Sequence, residues 1–150
     1  MKYSDILGAN LKSDFLNDLF ATYDVTVAYE YDRSNENMED SYNASIPEMG
    51  LEFLFDASQQ LVSLFMSSTK HTGYNPFEGN DPRSVPFNTG EQAVSYAEGR
   101  NIEVEHHAAT EDEIFGPIPE WAKLQFENHS VHYQFNANGI ELVTLQAKYA

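Results

Sequence analysis

Histidines are the side chains of this protein best suited to bind a metal ion or to move a proton at neutral pH. Zinc sites require three or four converging ligands, and the sequence contains neither cysteine nor a His-Glu-x-x-His pattern. Adjacent histidines on an extended segment point to opposite faces, so two of the five should not share a site. We therefore predict no metal site and histidines that are exposed or half-buried. The five are His71, His106, His107, His129 and His132.

Carboxylates are so abundant that their spacing identifies no acid–base pair. Glu103 and Glu105, for example, lie two residues apart, but such pairs arise by chance in a chain with 24 acids. The segment that begins at Asp32 has only a loose likeness to a calcium loop, because Asn37 and Asn43 occupy the positions that require Gly and Glu. No phosphate-binding or serine-nucleophile motif is present. We predict neither an enzyme nor a cofactor, and a small metal-assisted enzyme stays the less favoured alternative.

The net charge of −16 restricts the classes of partner. Binding to nucleic-acid phosphates or to an anionic membrane requires clustered Lys and Arg. The eight bases of this chain are scattered singly, which argues against both partners. A strongly negative surface instead favours a basic protein, since opposite fields accelerate encounter. The alternative that the acidity serves only solubility remains open.

Two stretches concentrate the acids. Residues 24–56 hold nine acids and one base, and residues 98–120 hold seven acids and one base. Both stretches are predicted to be rich in loops, and acidic loops on a rigid sheet could face a cationic cleft. The candidate partner-binding residues are the acids of these loops and two aromatic anchors: Asp32, Glu36, Glu39, Asp40, Glu111, Asp112 and Glu113, with Tyr42 and Phe115.

Apolar periodicity predicts the elements that hold these loops. Residues 13–23 have apolar residues at helical spacing behind a Ser cap, and residues 90–97 form a short helix that ends before a glycine. Residues 25–31 alternate as a strand, whereas the polar residues 32–45 predict an exposed loop. Residues 120–127 predict a further strand that leads into the last hairpin.

Two hairpins share one pattern. In residues 130–146, the alternating Val131, Tyr133 and Phe135 precede an Asn-Gly turn and a second alternating arm. Residues 50–66 repeat the arrangement, strand against strand, with a shorter turn. We predict that the three apolar residues of the later hairpin belong to the core.

Together these elements predict one α+β domain of 150 residues. Its twisted antiparallel sheet would have about six strands, with the two helices on one face. No apolar run reaches the 18 residues of a membrane span, and the first residues lack the apolar core of a signal peptide. We therefore predict a cytoplasmic protein.

The order of these motifs resembles a known class of proteins. The segments Gly-Leu-Glu-Phe-Leu-Phe-Asp at 50–56 and Val-His-Tyr-Gln-Phe at 131–135 carry the likeness, together with the Tyr/Pro/Gly-rich segment between the hairpins and the Gly-ended helix. This looks like the small acidic immunity proteins encoded beside bacterial polymorphic and contact-dependent growth-inhibition toxins. The resemblance implies a non-enzyme that binds a cognate toxin domain, often a nuclease with a basic groove, and occludes its active site. An alternative is a nucleic-acid mimic that inhibits a DNA-binding protein.

Overall fold

The computed structural model describes residues 3–23, 25, 27–30, 40–67, 82–83 and 85–148. These residues form an eight-stranded antiparallel sheet, a separate two-stranded hairpin and two α-helices. Short 3-10 turns occupy Tyr3–Ile6 and Pro47–Met49. In chain order the elements are α1 (Asp14–Thr22), β1 (Val27–Glu30), β2 (Ser41–Ile46), β3 (Leu51–Phe55), β4 (Leu61–Ser67), α2 (Gly90–Glu98), β5 (Glu103–His107), β6 (Thr110–Asp112), β7 (Gly116–Ile118), β8 (Trp121–Gln125), β9 (His129–Asn136) and β10 (Gly139–Ala147).

The sheet consists of two four-stranded meanders that meet in its middle. Its strand order is β1-β2-β3-β4-β10-β9-β8-β5, and every pair is antiparallel. Each meander follows one helix, so helix and four strands occur twice along the chain. The predicted α+β class and antiparallel sheet are confirmed, but the sheet has eight strands, more than the predicted six.

One of the additional strands corrects the sequence prediction directly. Residues 41–45 were predicted to lie in an exposed loop, but they belong to β2. In β2 the side chains of Tyr42, Ala44 and Ile46 point toward the core. The polar side chains between them point away from it. Serine and asparagine are compatible with the solvent face of an antiparallel strand, so composition alone concealed the alternation.

The meanders are related by an approximate two-fold rotation. Leu64 of β4 pairs directly with Leu145 of β10, and these two leucines are counterparts in the repeated hairpin pattern. Ser63 pairs with Gln146, while its counterpart Thr144 pairs with Phe65. The residue before each leucine thus pairs with the residue after the other leucine. A two-fold axis through the Leu64–Leu145 pair requires this crossed order.

Both helices pack on the same face of the sheet and close the core. The ring of Phe20 on α1 lies edge-on to Phe53 and Phe55 of β3, at centroid distances of 5.2 and 6.4 Å. Ala93 and Ala97 of α2 are fully buried, which lets this helix approach the β5 and β8 strands closely. The predicted helices at 13–23 and 90–97 are thus confirmed within one residue at their ends.

Ahead of α2, Phe87 extends the core over the second meander. Its ring packs edge-on against Tyr133 at 4.9 Å and also contacts Phe135 and Tyr96. In the later hairpin, we predicted core positions for Val131, Tyr133 and Phe135. All three are buried, so this prediction is confirmed.

The register of β10 changes at one residue. A bulge at Glu141 interrupts the pairing of β9 with β10 between Ile140 and Leu142. The extra residue brings Ile140 onto the same face as Val143 and Leu145, where it packs against the core.

No described helix is long and apolar enough to cross a membrane.

Candidate functional site

His106 meets a carboxylate on the helix-covered face of the sheet. Pairing of β5 with β8 brings its Nε2 within 2.9 Å of an Oε2 atom of Glu120, and both side chains are about one-quarter exposed. The other carboxylate oxygen of Glu120 accepts a hydrogen bond of 3.2 Å from the Gly90 amide at the start of α2. The His106 hydrogen bond, assisted by the Gly90 amide, lowers the pKa of Glu120. This arrangement fixes the first turn of α2 to the base of the β6–β7 hairpin.

His107 points to the opposite face, as predicted for adjacent histidines, and joins a stack of three rings. Trp121 lies between His107 and His132, at centroid distances of 4.6 and 5.1 Å. Burial within this stack lowers the pKa of His132, and the nearby charge of Lys123 lowers it further. The stacked rings contact one another face to face, so the group stabilises the pairing of β5, β8 and β9.

His129 stacks on Phe126 at 4.9 Å, where burial and then the charge of Lys148 lower its pKa. His71 lies outside the described residues. Within the described part of the chain, no three His, Asp or Glu side chains gather closely enough to hold a metal ion.

The β6–β7 hairpin presents the most exposed large apolar side chains among the described residues. Ile114 is 84% exposed and Phe115 is 81% exposed, and they are adjacent at the tip. Folded proteins bury such side chains where they can, and a contiguous exposed pair marks a contact surface more often than isolated apolar residues do. The predicted anchor Phe115 is therefore placed where a partner can reach it.

The carboxylate of Asp112 organises this tip. Its Oδ1 accepts hydrogen bonds from the amides of Ile114 and Phe115, at 2.7 and 3.0 Å. These two bonds lower the pKa of Asp112, the Phe115 amide contributing most. Gly116 has φ +75°, a conformation that glycine adopts without steric cost. The predicted acidic loop at 111–113 is thus corrected to a short hairpin, in which Glu111 and Asp112 belong to β6 and Glu113 to the turn.

A groove of about 480 Å³ lies between the base of this hairpin and the turn that joins β9 to β10. Its walls are largely apolar and include Pro117, Ile118 and Phe135, and Glu120 and Glu141 also line it. The Phe135 amide donates to the Glu120 carbonyl at 2.9 Å, which ties the two sides together. We call residues 109–120 together with 135–141 the hairpin corner.

The hairpin corner carries negative charge without an adjacent base in the sequence. It contains five acids, and the chain has no Lys or Arg in residues 101–122 or 124–147. Its acids are Glu111, Asp112, Glu113, Glu120 and Glu141.

Two further predicted contact residues, Asp40 and Tyr42, lie among the described residues, away from the hairpin corner. Asp32, Glu36 and Glu39 lie outside the described residues. Asp40 accepts a hydrogen bond of 2.5 Å from the Tyr29 hydroxyl. Tyr42, predicted as an anchor in a loop, is instead a half-buried residue of β2 whose ring contacts Tyr29 at 4.9 Å. The more exposed aromatic here is Tyr29, which the sequence prediction assigned only to a strand.

Asp40, the described member of the first predicted acidic group, lies far from the acids of the second group. Asp40 adjoins the outermost strands β1 and β2, whereas the β6–β7 hairpin joins β5 to β8 at the opposite edge and the opposite end of the strands. Seven strand spacings of about 4.8 Å separate the edges by roughly 34 Å. The two-fold relation explains this placement, because each acidic segment joins the first two strands of its own meander.

Three residues of the hairpin corner were not singled out by sequence reasoning. Ile114 could have been found, since it precedes Phe115 between an acidic run and a Gly-Pro pair. Glu120 and Glu141 are ordinary acids in the sequence, and only the approach of the hairpin to the β9–β10 turn brings them to one groove. No family model, curated protein or solved structure matches this chain.

Proposed function

We propose that this protein is an immunity protein that binds a cognate basic toxin domain and blocks its active site, with the hairpin corner as its principal contact. The exposed pair Ile114 and Phe115, held by Asp112 among like charges, is the observation that carries the proposal. Partner interfaces use a few aromatic or aliphatic anchors surrounded by polar residues. The tip supplies two such anchors, and the acids around them supply the rim.

The charge distribution supports a cationic partner such as a nuclease-type toxin. A nuclease groove that accepts phosphates is positive, and the five acids of the hairpin corner are complementary to it. Such complementarity raises the association rate steeply at low salt. The same acids disfavour self-association through the tip, because two copies would bring like charges together.

Binding to a toxin domain tests the proposal, and the resemblance predicts that this domain is encoded beside the gene. Replacing Ile114 and Phe115 together by Ser should weaken binding by at least about 30-fold, the effect of losing a central anchor worth roughly 2–4 kcal/mol. Unfolding stability should change by less than about 0.5 kcal/mol, since both side chains are exposed. The matched control is Phe15→Ser, which removes a 44% exposed aromatic from α1 and should leave binding unchanged.

Charge variants distinguish a contact at the hairpin corner from a contact at the β1–β2 edge of the sheet. Glu111→Lys with Glu113→Lys should slow association and reduce its salt dependence, whereas Asp40→Lys, at the other edge of the sheet, should not. If the hairpin variants bind and protect as well as the unaltered protein, the hairpin corner is not the contact. If Asp40→Lys alone abolishes binding, the contact lies at the β1–β2 edge. Failure of the unaltered protein to bind the toxin domain would refute the function itself.

A further inference from the structure

We infer that the outer edge of β5 is a binding site for an extended basic segment of the partner, which adds to the sheet as a further strand. β5 is the last strand of the sheet within the described residues. When a strand is added to a sheet edge, main-chain hydrogen bonds supply affinity and the side chains supply specificity. This inference rests on the proposed function for the partner's identity, whereas the chemistry of the edge follows from the strand itself.

The hydrogen bonds beside β8 establish which way its main-chain groups point. At one end the Phe126 amide donates to the His129 carbonyl, and at the other the Phe135 amide donates to the Glu120 carbonyl. Hydrogen-bonded and non-hydrogen-bonded positions alternate along antiparallel strands. The even-numbered residues of β8 are therefore directed to β9, and its odd-numbered residues are directed to β5.

The same alternation identifies the outward groups of β5. The odd-numbered residues of β8 pair with Glu103, Glu105 and His107. The amides and carbonyls of Val104 and His106 therefore point away from the sheet, and among the described residues none is hydrogen-bonded to them. The outward amide of Ile102 already donates to the Ala97 carbonyl of α2 at 2.9 Å. The end of α2 thus occupies the edge ahead of β5, and the edge of β5 itself stays accessible.

The side chains of β5 determine which strand fits. Glu103 and Glu105 are exposed on the face of the sheet opposite to the one on which His106 meets Glu120. An added antiparallel strand faces both glutamates at non-hydrogen-bonded positions, where opposing Cα atoms are only about 4.5 Å apart. Lysine or arginine at these positions forms favourable cross-strand pairs. A single base, Lys123, pairs with Glu105 from β8, so these three side chains retain a net negative charge.

The same glutamates disfavour a second copy of this chain as the occupant. Pairing of two β5 edges through Val104 and His106 sets Glu105 against Glu105, and like charges directly opposite each other are destabilising. Charges on an edge strand protect a sheet against such self-association. They are complementary to a basic strand. The β6–β7 hairpin begins only two residues after β5, so a partner bound at the hairpin corner lies beside this edge.

Short peptides titrated into the full-length protein test the edge without any toxin. The probe is acetyl-Thr-Val-Lys-Val-Lys-amide, whose lysines face Glu105 and Glu103 when its valines bond to the outward groups. Backbone amide NMR should show the largest shifts and slower solvent exchange at Val104 and His106, whose amides gain a hydrogen bond. The affinity should be on the order of millimolar. Replacing both lysines by threonine should weaken binding at least about threefold.

Methylated peptides assign the binding to the main chain. N-methylation of the two valines removes the donors that face β5 and should abolish measurable binding. N-methylation of the two lysines instead removes donors that face solvent, so it should leave the affinity within about threefold. Equal binding of these two methylated peptides, or equal binding of the lysine and threonine peptides, would overturn the inference.

Charge variants assign the preference to β5. Glu103→Gln with Glu105→Gln should weaken binding of the lysine peptide about threefold or more. The matched control, Glu48→Gln with Glu52→Gln, makes the same charge change in the other meander and should leave binding unaltered. All four residues are exposed, so both variants should melt like the unaltered protein. Equal weakening by the two pairs would show a general effect of net charge and would refute the site.

The outcomes separate this inference from the proposed function. If the protein neutralises a toxin but its β5 edge does not bind the basic peptide, the inference fails and the proposed function stands. If the edge binds the basic peptide but the protein binds no toxin domain, the chemistry of the edge stands and the proposed function fails.

Discussion

Gly90 is the position at which the contact between α2 and the sheet can be tested most sharply. A Cβ atom at Gly90 would lie 2.3 Å from Nε2 of His106 and 2.8 Å from the carboxyl carbon of Glu120. Both distances are well inside van der Waals contact, so Gly90→Ala must displace the pair. The backbone itself allows alanine, because Gly90 is not among the residues with positive φ.

Two opposing contributions determine how much Gly90→Ala changes the free energy of unfolding. Alanine is favoured over glycine in a helix by at most about 1 kcal/mol. Displacing His106 costs the hydrogen bond to the charged Glu120 and weakens the one from the Gly90 amide, worth about 1.5–3 kcal/mol in all for a pair that is one-quarter exposed. Gly90→Ala should therefore destabilise the protein by about 1–2 kcal/mol.

The effect of Gly90→Ala on stability should change sign once the imidazole of His106 is removed. In a His106→Ala background the closest clash is absent, and the remaining one involves the flexible end of Glu120. Gly90→Ala should then be neutral or stabilise by up to about 1 kcal/mol. The coupling between the two substitutions would be about 2 kcal/mol, within the range measured for side chains in direct contact.

Urea unfolding of the four proteins of this double-mutant cycle measures the coupling. Gly99→Ala, at the other end of α2, is the control, since its Cβ would meet only helix carbonyls and not His106. An equal cost of Gly90→Ala with and without His106 would refute the described contact. A coupling as large for Gly99 as for Gly90 would show that His106 acts on the whole helix rather than at its first turn.

Two further predictions concern the core and the ring stack. Phe135 is only 3% exposed and packs on Phe87, so Phe135→Ala should cost about 3–5 kcal/mol in urea unfolding, and a cost below about 1 kcal/mol would contradict its burial. The folded-state pKa of His132 lies below its unfolded value near 6.5, because burial and then Lys123 disfavour its protonation; its contribution to stability is therefore complete above about pH 6.5 and is lost as the pH falls through the folded pKa. His132→Phe keeps a ring beside Trp121 and should lose less stability than the unaltered protein between about pH 7.5 and 5.5, whereas parallel losses would refute the assignment.

The parts of the fold that follow from local patterns were predictable from the sequence. The helices were predicted from apolar spacing and from the N-cap residues Ser13 and Thr89. The Thr89 side chain accepts a hydrogen bond from the Gln92 amide, whereas the Ser13 side chain makes no capping hydrogen bond. The two hairpins follow from strict alternation about turn residues. These signals operate within about ten residues, so they do not depend on where the rest of the chain lies.

The missed elements were short or polar on one side. Strands β6 and β7 have three residues each, too few for alternation to be recognised, and their pairing depends on the turn at Asp112. Strand β2 carries Ser and Asn on its outward face, which made its composition resemble that of a loop.

The candidate site was predictable only in part, because it is assembled by pairing between distant segments. Phe115 and the acids beside it were identified from charge and aromaticity. The contact of His106 with Glu120 spans 14 residues and follows from the β5–β8 register, which no local spacing encodes. Whether the predicted acids bind a partner stays a prediction.

The junction of β4 with β10 has the character of an interface between identical subunits. In an isologous dimer, the same patch of each subunit meets itself across a two-fold axis. Here Leu64 meets its own counterpart Leu145, and Met66 pairs with Val143, inside one polypeptide. Each half exposes an apolar strand until the other covers it, so neither half is expected to be stable alone. Two separately expressed halves should nevertheless recognise each other through this junction, in the manner of a dimer whose subunits happen to be linked.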